Sequence, residues 1–449
     1  MKSSTDTAAG SPAADGAGLT RRYAGLYTFT YMAIGVLVPL ISQYLKGIGF
    51  SGTEIGAVTA TGTTVAIFAS AFWGRIYTAA RRRHRLVLLL CLIAAAIALG
   101  LMHIRSFPLF LLSFAVLYFF QAPVMSLSDA LAIDDRRPFG FVRMFGAVGF
   151  AVGVFAAARI ADAAGLAVIF PIYCCSYIAA AAVIGLIAAA FGRGEQGGRR
   201  AGRRDAAGRK EQSAVPAGDG RAAPAEGGQN GRGGRGAFRA LLHNRRYLMM
   251  ILCAFFFCGT NVANNTYFSF LYLQGGGALA GVGLAFLLMA GSEAPVMAWT
   301  GWLSRRLTPE KLILAAMVIS AARFAWYAMS PPYYLLLALF FLQGLVNGVI
   351  LVEFVNYAAR LVRSELSGLA ISVYYSFSSS GSTIVCQLFG GLLLDRLGPG
   401  GVYLFFSLMN LAGLLLYLFF GLWKPVPAEA GAADDSAQAP QSGSADAPS

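Results

Sequence analysis

Two ionisable residues stand where lipid makes charge costly. Glu293 sits near the middle of the apolar run Leu279–Leu303, and Arg323 lies inside the next run, Leu312–Met329. An ionised side chain at bilayer depth costs about 3 kcal/mol on insertion scales, so it persists where it has a partner or a task. Glu293 is roughly 15 Å of helix from Leu303, too far for a carboxylate to snorkel. A carboxyl that alternates between apolar surroundings and a neighbouring guanidinium changes its hold on a proton, so this pair could carry one. The bland alternative is a structural ion pair between successive helices. Glu353, near the end of the run Tyr333–Tyr357, is a further acid that could serve proton transfer or a gate.

A second set lies in the first half of the chain. Asp129 and Arg143 flank a short polar loop, and Gln121, Met125, Ser128 and Asp129 share one helix face by their spacing. The Asp129–Arg143 pair could bind a solute or latch a gate, or Arg143 could simply snorkel to head groups with Asp129 as its counter-ion. Amides at depth are the remaining candidates: Asn261, Asn264 and Asn265 in one run, and Gln343 and Asn347 one turn apart in another. Buried amides need partners, which a solute's hydroxyls or ring nitrogens could supply and a neighbouring helix could supply equally well. Tyr27 and Tyr31 could line a cavity or pack.

The elements that must position these residues follow from composition. Of the 449 residues, 57% are hydrophobic and 12% charged, about half the charge of a soluble domain. Twelve runs are long enough to span a bilayer. Six fill the first half: Tyr23–Tyr44, Ile55–Thr78, Leu86–Ile104, Phe107–Leu131, Phe141–Ala161 and Leu166–Phe191. Six more are Tyr247–Leu273, Leu279–Leu303, Leu312–Met329, Tyr333–Tyr357, Leu366–Leu394 and Val402–Trp423. With the N-terminus and alternate loops on one side, 28 of the 35 Lys and Arg fall there and four on the other, with three inside spans. This asymmetry predicts a multi-pass cell-membrane protein with both termini cytoplasmic. The net charge of +14 therefore reports topology rather than affinity for nucleic acid.

Residues 192–246, rich in Gly, Ala and Arg, are expected to form a disordered basic linker. They separate a six-helix bundle over 23–191 from another over 247–423, between a cytoplasmic N-terminal tail (1–22) and a disordered acidic C-terminal tail (424–449). The halves echo one another. Gly74 is followed by Arg81-Arg82-Arg83, and Gly301 by Arg305-Arg306; Tyr118-Phe-Phe-Gln121-Ala122 has its counterpart in Phe340-Phe-Leu-Gln343-Gly344. Duplication of a six-helix unit, with a site at the midplane between the copies, is the reading.

On these features the chain resembles the major facilitator superfamily of transporters across about Tyr23 to Trp423. In the loop after the second span Gly74, Arg82 and Arg83 fit that family's pattern, while Thr78 replaces its acid. The segment from Ser126 through Asp129, Phe139 and Arg143 to Phe150 resembles the branch of lactose permease, nucleoside:proton symporters and phenylpropionate permeases. That resemblance implies solute-engaging roles for Asp129 and Arg143, and proton coupling by Glu293, Arg323 and Glu353. Ile350 stands where sugar permeases of that branch carry a histidine, which argues against a sugar.

The expectation is an all-α membrane protein that imports a small organic solute (a nucleoside, aromatic acid or sugar-like molecule) with protons. It acts as a monomer without cofactor. The alternatives are a proton-driven efflux antiporter and a nontransporting sensor. Phe141–Ala161 lacks the proline expected of efflux members of the family. The six cysteines all lie in apolar runs, and the three histidines build no metal site with them. There is no P-loop and no convergent nucleophile and base, so no enzyme is expected. Heavy use of Arg, Ala and Gly suggests a bacterial source.

Overall fold

The computed structural model describes residues 12–208 and 233–424. Among them there is helix and no strand, as the backbone must satisfy its own polar groups in lipid. The crossing helices of the first half are α1 (Pro12–Leu37), α2 (Gly52–Ala79), α3 (Arg83–Leu101), α4 (Phe107–Asp134), α5 (Phe139–Ala164) and α6 (Ile169–Gly208). A turn after Leu37 interrupts the first crossing, which resumes as Ile41–Gly47. The second half supplies α7 (Arg245–Gln274), α8 (Leu279–Arg306), α9 (Pro309–Ala328) and α10 (Tyr333–Arg360). The apolar stretch Ser367–Phe419 is 53 residues long, far more than one bilayer needs. Gly398 (φ 69°, ψ −172°), followed by Pro399, breaks it into two crossings, α11 (367–397) and α12 (399–419). Glycine tolerates the positive φ and proline cannot continue the helix.

Sequence chemistry sets the ends. Ser51 and Glu54 form a reciprocal capping box at the start of α2, and Asn244 accepts from the Tyr247 amide at 3.0 Å to start α7. Helix also enters the segment expected to be disordered: α6 runs to Gly208, and Gly233–His243 forms a short helix before α7. Arg, Ala, Glu and Gln favour helix without burial, and Leu241 tucks against the second half. Residues 209–232 and the expected C-terminal tail beyond 424 lie outside the described residues, as does most of the N-terminal tail.

The halves meet through α2 with α11 and α5 with α8. One continuous apolar core joins the first half to Tyr267, Phe268, Phe286, Phe340 and Phe406 of the second, on the face opposite the termini. A separate core, around Tyr247, Met250, Leu312 and Tyr357, closes the second half toward the terminal face. The two halves are thus sealed together on the face opposite the termini.

Candidate functional site

In the first half the charged residues converge. The Arg143 guanidinium donates to Asp129 at 2.9 Å, and the Tyr27 hydroxyl donates to the other Asp129 oxygen at 2.5 Å. The Tyr31 ring stacks on Tyr27, with centroids 6.0 Å apart. Glycines on α5 make this possible: a Cβ on Gly149 would lie 2.1 Å from the Thr28 carbonyl, and one on Gly146 would meet the Tyr31 ring. Close backbone approach brings Arg143 to α1. Gln121 is elsewhere, buried within its own half and accepting from the Tyr173 hydroxyl at 2.7 Å.

In the second half Glu293 and Arg323 form no ion pair. Successive helices place them on different faces, and each has other neighbours. Arg323 is 3% exposed and turns toward α7, donating to the Asn261 side chain at 3.1 Å. Its guanidinium lies over the rings of Phe324 and Tyr327, 4.5 and 5.6 Å from their centroids. Its Nε and Nη1 have no hydrogen-bond partner. Glu293 instead faces the seam between the halves, approached by Asn347 and by Arg143 of the first half. Arg143 also acts electrostatically on Tyr31 and Tyr375, so it is the hub of the site.

Asn347, the neighbour of Glu293, also lines a cavity of about 150 Å³. Its polar wall is Asn261, Asn265, Asn347, Tyr374, Tyr375 and Ser379, and Val262, Ile350 and Leu351 line the apolar side. The Asn265 side-chain oxygen is buried without a partner. Gln343 supports the wall from behind, donating to the Asn347 side chain and the Asn261 carbonyl, each at 3.1 Å. Asn264 faces the other way and accepts from the Tyr403 hydroxyl at 2.7 Å. Glu353 is buried but away from the cavity, with Glu310 and Arg360 as its charged neighbours and Oε2 unpartnered.

The helices around the cavity are locally irregular. Pro295 removes a backbone donor from α8 two residues beyond Glu293. Segments Ile350–Phe354 of α10 and Tyr374–Gly381 of α11 are wound as π-helix, a form concentrated at functional sites. Sequence reasoning missed Tyr374, Tyr375 and Ser379; the polar run Tyr-Tyr-Ser-Phe-Ser-Ser-Ser inside an apolar span was the available signal.

Two acids at the terminal face find their partners within the first half. Asp134 accepts from Arg83 at 2.6 Å and from the Tyr77 hydroxyl at 2.8 Å, and Asp135 accepts from Tyr23 and meets His84 at 3.3 Å. Burial works to raise the Asp135 carboxyl, but hydrogen bonds from His84 and Tyr23 and the charges of His84 and Arg137 outweigh it and hold it below the usual range. Thr78, in the place of the family's acid, turns back on its own helix and donates to the Arg75 carbonyl at 2.8 Å.

Among the described residues no cluster of three or more His, Cys, Asp or Glu could hold a metal ion. The profile of the MFS_1 like family, within the major facilitator superfamily, matches residues 20–405. The chain belongs to this family. It is 31% identical over 397 residues to the maltose permease of Geobacillus stearothermophilus, covering 87% of this chain and 92% of that one. It is 26% identical over 407 residues to the uncharacterized transporter YwbF of Bacillus subtilis (strain 168), covering 89% and 93%. The solved nucleoside transporter NupG superposes with a TM-score of 0.68 at 14% identity, over 91% of this chain and 100% of that one. A bacterial homolog of the human lysosomal transporter Spinster, inward-facing and unoccupied, gives 0.63 at 12%, over 92% and 97%. At such identities these structures speak to the fold. The MFS_1 like chain is a multi-pass membrane transporter of small molecules.

Proposed function

We propose that the chain is a proton-coupled importer of a neutral, hydroxyl-rich solute, a sugar or nucleoside, that works by alternating access in the cell membrane with both termini cytoplasmic. The observation that carries this is Glu293, on α8, which feels the charge of Arg143 of the other half and meets Asn347 of an amide-lined cavity. A carboxyl at that seam exchanges surroundings whenever the halves rock, and a proton can bind and leave in step. Arg323, through Asn261 of the cavity wall, and Glu353, beside Glu310 and Arg360, serve as modulators. Asp129, Arg143, Tyr27 and Tyr31 form the first-half wall of the solute site.

An aromatic acid fits less well than a neutral solute, because Arg143 already spends its charge on Asp129. Hydroxyl donors suit the open Asn265 oxygen, and the maltose permease likeness favours a sugar despite Ile350 in the cavity wall. The test is uptake of labelled maltose and uridine by the reconstituted protein, with and without an imposed proton gradient. Gradient-driven accumulation of either is expected. Solute expulsion driven by the gradient would favour an antiporter, and absence of any flux a sensor.

A further inference from the structure

Where the halves meet opposite the termini, each lends a carboxylate to the other. The capping box of α2 satisfies the Glu54 amide through the Ser51 hydroxyl at 3.1 Å, from within the helix. The two preceding amides are left for another acceptor. Asp395, at the end of α11 in the other half, takes both: Gly52 N at 2.5 Å and Thr53 N at 2.7 Å, with the Thr53 hydroxyl also at 2.7 Å. An anion bound to two backbone donors at a helix N-terminus also meets the positive end of its dipole. Lys46 of the first half adds a further attraction.

The repeat produces the same arrangement a second time. Asp162, at the end of α5, accepts from the Ala280 amide at 3.2 Å, in the first turn of α8. Thr53 and Ala280 hold the same place in their helices, each the second residue. One turn on, Gly56 of α2 lies against Gly391 of α11, four residues before Asp395. Gly283 of α8 lies against Ala158 of α5, four residues before Asp162. A Cβ on Gly56 would come within 2.4 Å of the Gln387 carbonyl, and one on Gly283 within 2.9 Å of Ala158. The acid and the small-residue contact therefore recur in one register, crossed between the halves.

We propose that Asp395 and Asp162 are a crossed pair of latches, each half's fifth helix capping the other half's second, that hold the face opposite the termini shut. The two are unequal: Asp395 engages three donors and Asp162 one. Both acids are exposed at the seam, so their carboxylates are released to water when the halves part. Neutral contacts such as Thr59 with Gln387 at 2.9 Å and Gln43 with Ser269 at 2.8 Å guide the closure below them. The latches concern the closed state itself and stand whatever the solute and coupling ion.

The test is a distance across that face. His103→Cys, just beyond α3, and Met329→Cys, just beyond α9, carry spin labels in a Cys175→Ser background that removes the exposed native thiol. The reconstituted parent is expected to show a short-distance population. Asp395→Asn shifts the closed-to-open ratio about tenfold toward longer distances, and Asp162→Asn shifts it less in the same direction. Glu54→Gln, which disturbs the same helix end without touching the other half, leaves the parent distribution in place. Thr53→Val, removing one of the three Asp395 donors, gives an intermediate shift and serves if Asp395→Asn fails to fold. Unchanged distances in Asp395→Asn combined with Asp162→Asn, or in Thr53→Val where that variant alone folds, overturn the proposal. So does a Glu54→Gln shift as large as that of Asp395→Asn.

Discussion

The two halves are each built of six crossing helices, yet they handle charge in opposite ways. In the first half Asp129 is answered by both Arg143 and Tyr27, and the terminal-face acids Asp134 and Asp135 are answered by Arg83 and His84. In the second half Arg323 keeps two N–H groups unmatched, Glu353 keeps one oxygen unmatched, and Glu293 looks across the seam to the other half for a cation. A matched charge holds a structure in place. An unmatched one at depth is a standing cost, and it is retained where a change of protonation or partner is part of the work. On the proposed reading, the first half serves recognition and support and the second serves proton exchange.

Changes at the seam should have the largest effect. Arg143→Ala strips Asp129 of its cation and Glu293 of its counter-charge together, so uptake is expected to fall about 100-fold, a loss in the range of a displaced proton-transfer group. Because the pair is partly exposed, the accompanying loss of stability should be only about 1 kcal/mol. Uptake and melting temperature measured on one preparation separate the two. If melting falls steeply while uptake per folded molecule is kept, the first half's charges are structural and the contrast fails.

Arg323→Met tests the other side of the comparison. Replacing an unmatched buried charge by an apolar side chain of similar length is expected to stabilise the protein by about 1 kcal/mol or more. Uptake should drop roughly tenfold, equivalent to about 1.4 kcal/mol. A variant that melts lower and transports normally would make Arg323 a structural strut. Asn265→Ala should act more narrowly. It removes the open acceptor in the cavity and is expected to raise the KM for solute a few-fold with kcat little changed; an effect confined to kcat would place Asn265 outside the binding wall.

The smallest effect belongs to acid. The Asp135 carboxyl is held below its ordinary range in the folded chain. Its contribution is therefore complete above about pH 4 and is lost as pH falls further. Melting temperature should decline on acidification below that point, and less so in Asp135→Asn. An identical acid profile in the two would remove Asp135 from the supporting network.

Most of the fold was legible because lipid leaves few options: every crossing had to be an apolar helix, and the basic residues had to collect on one side. Site geometry was less so. Succession along the chain suggested Glu293 with Arg323, but the pairing depends on how each helix is rotated about its axis. Ser320, Arg323 and Tyr327 share a face that turns to α7, whereas Glu293 turns to the seam. The same rotation sends Asn264 to Tyr403 and Asn265 to the cavity, though they are chain neighbours. The helix at both ends of the 192–246 segment was missed because composition there argued against burial, and these helices need little of it.

The proposed coupling step is uptake and release of the proton by Glu293. Its direct measurement is solute-induced proton movement into proteoliposomes, alongside solute exchange at equal concentrations on both sides, for the parent and Glu293→Gln. Loss of proton movement in Glu293→Gln with exchange retained is the expected result. Proton movement that persists undiminished in Glu293→Gln would contradict the account and move the coupling site elsewhere.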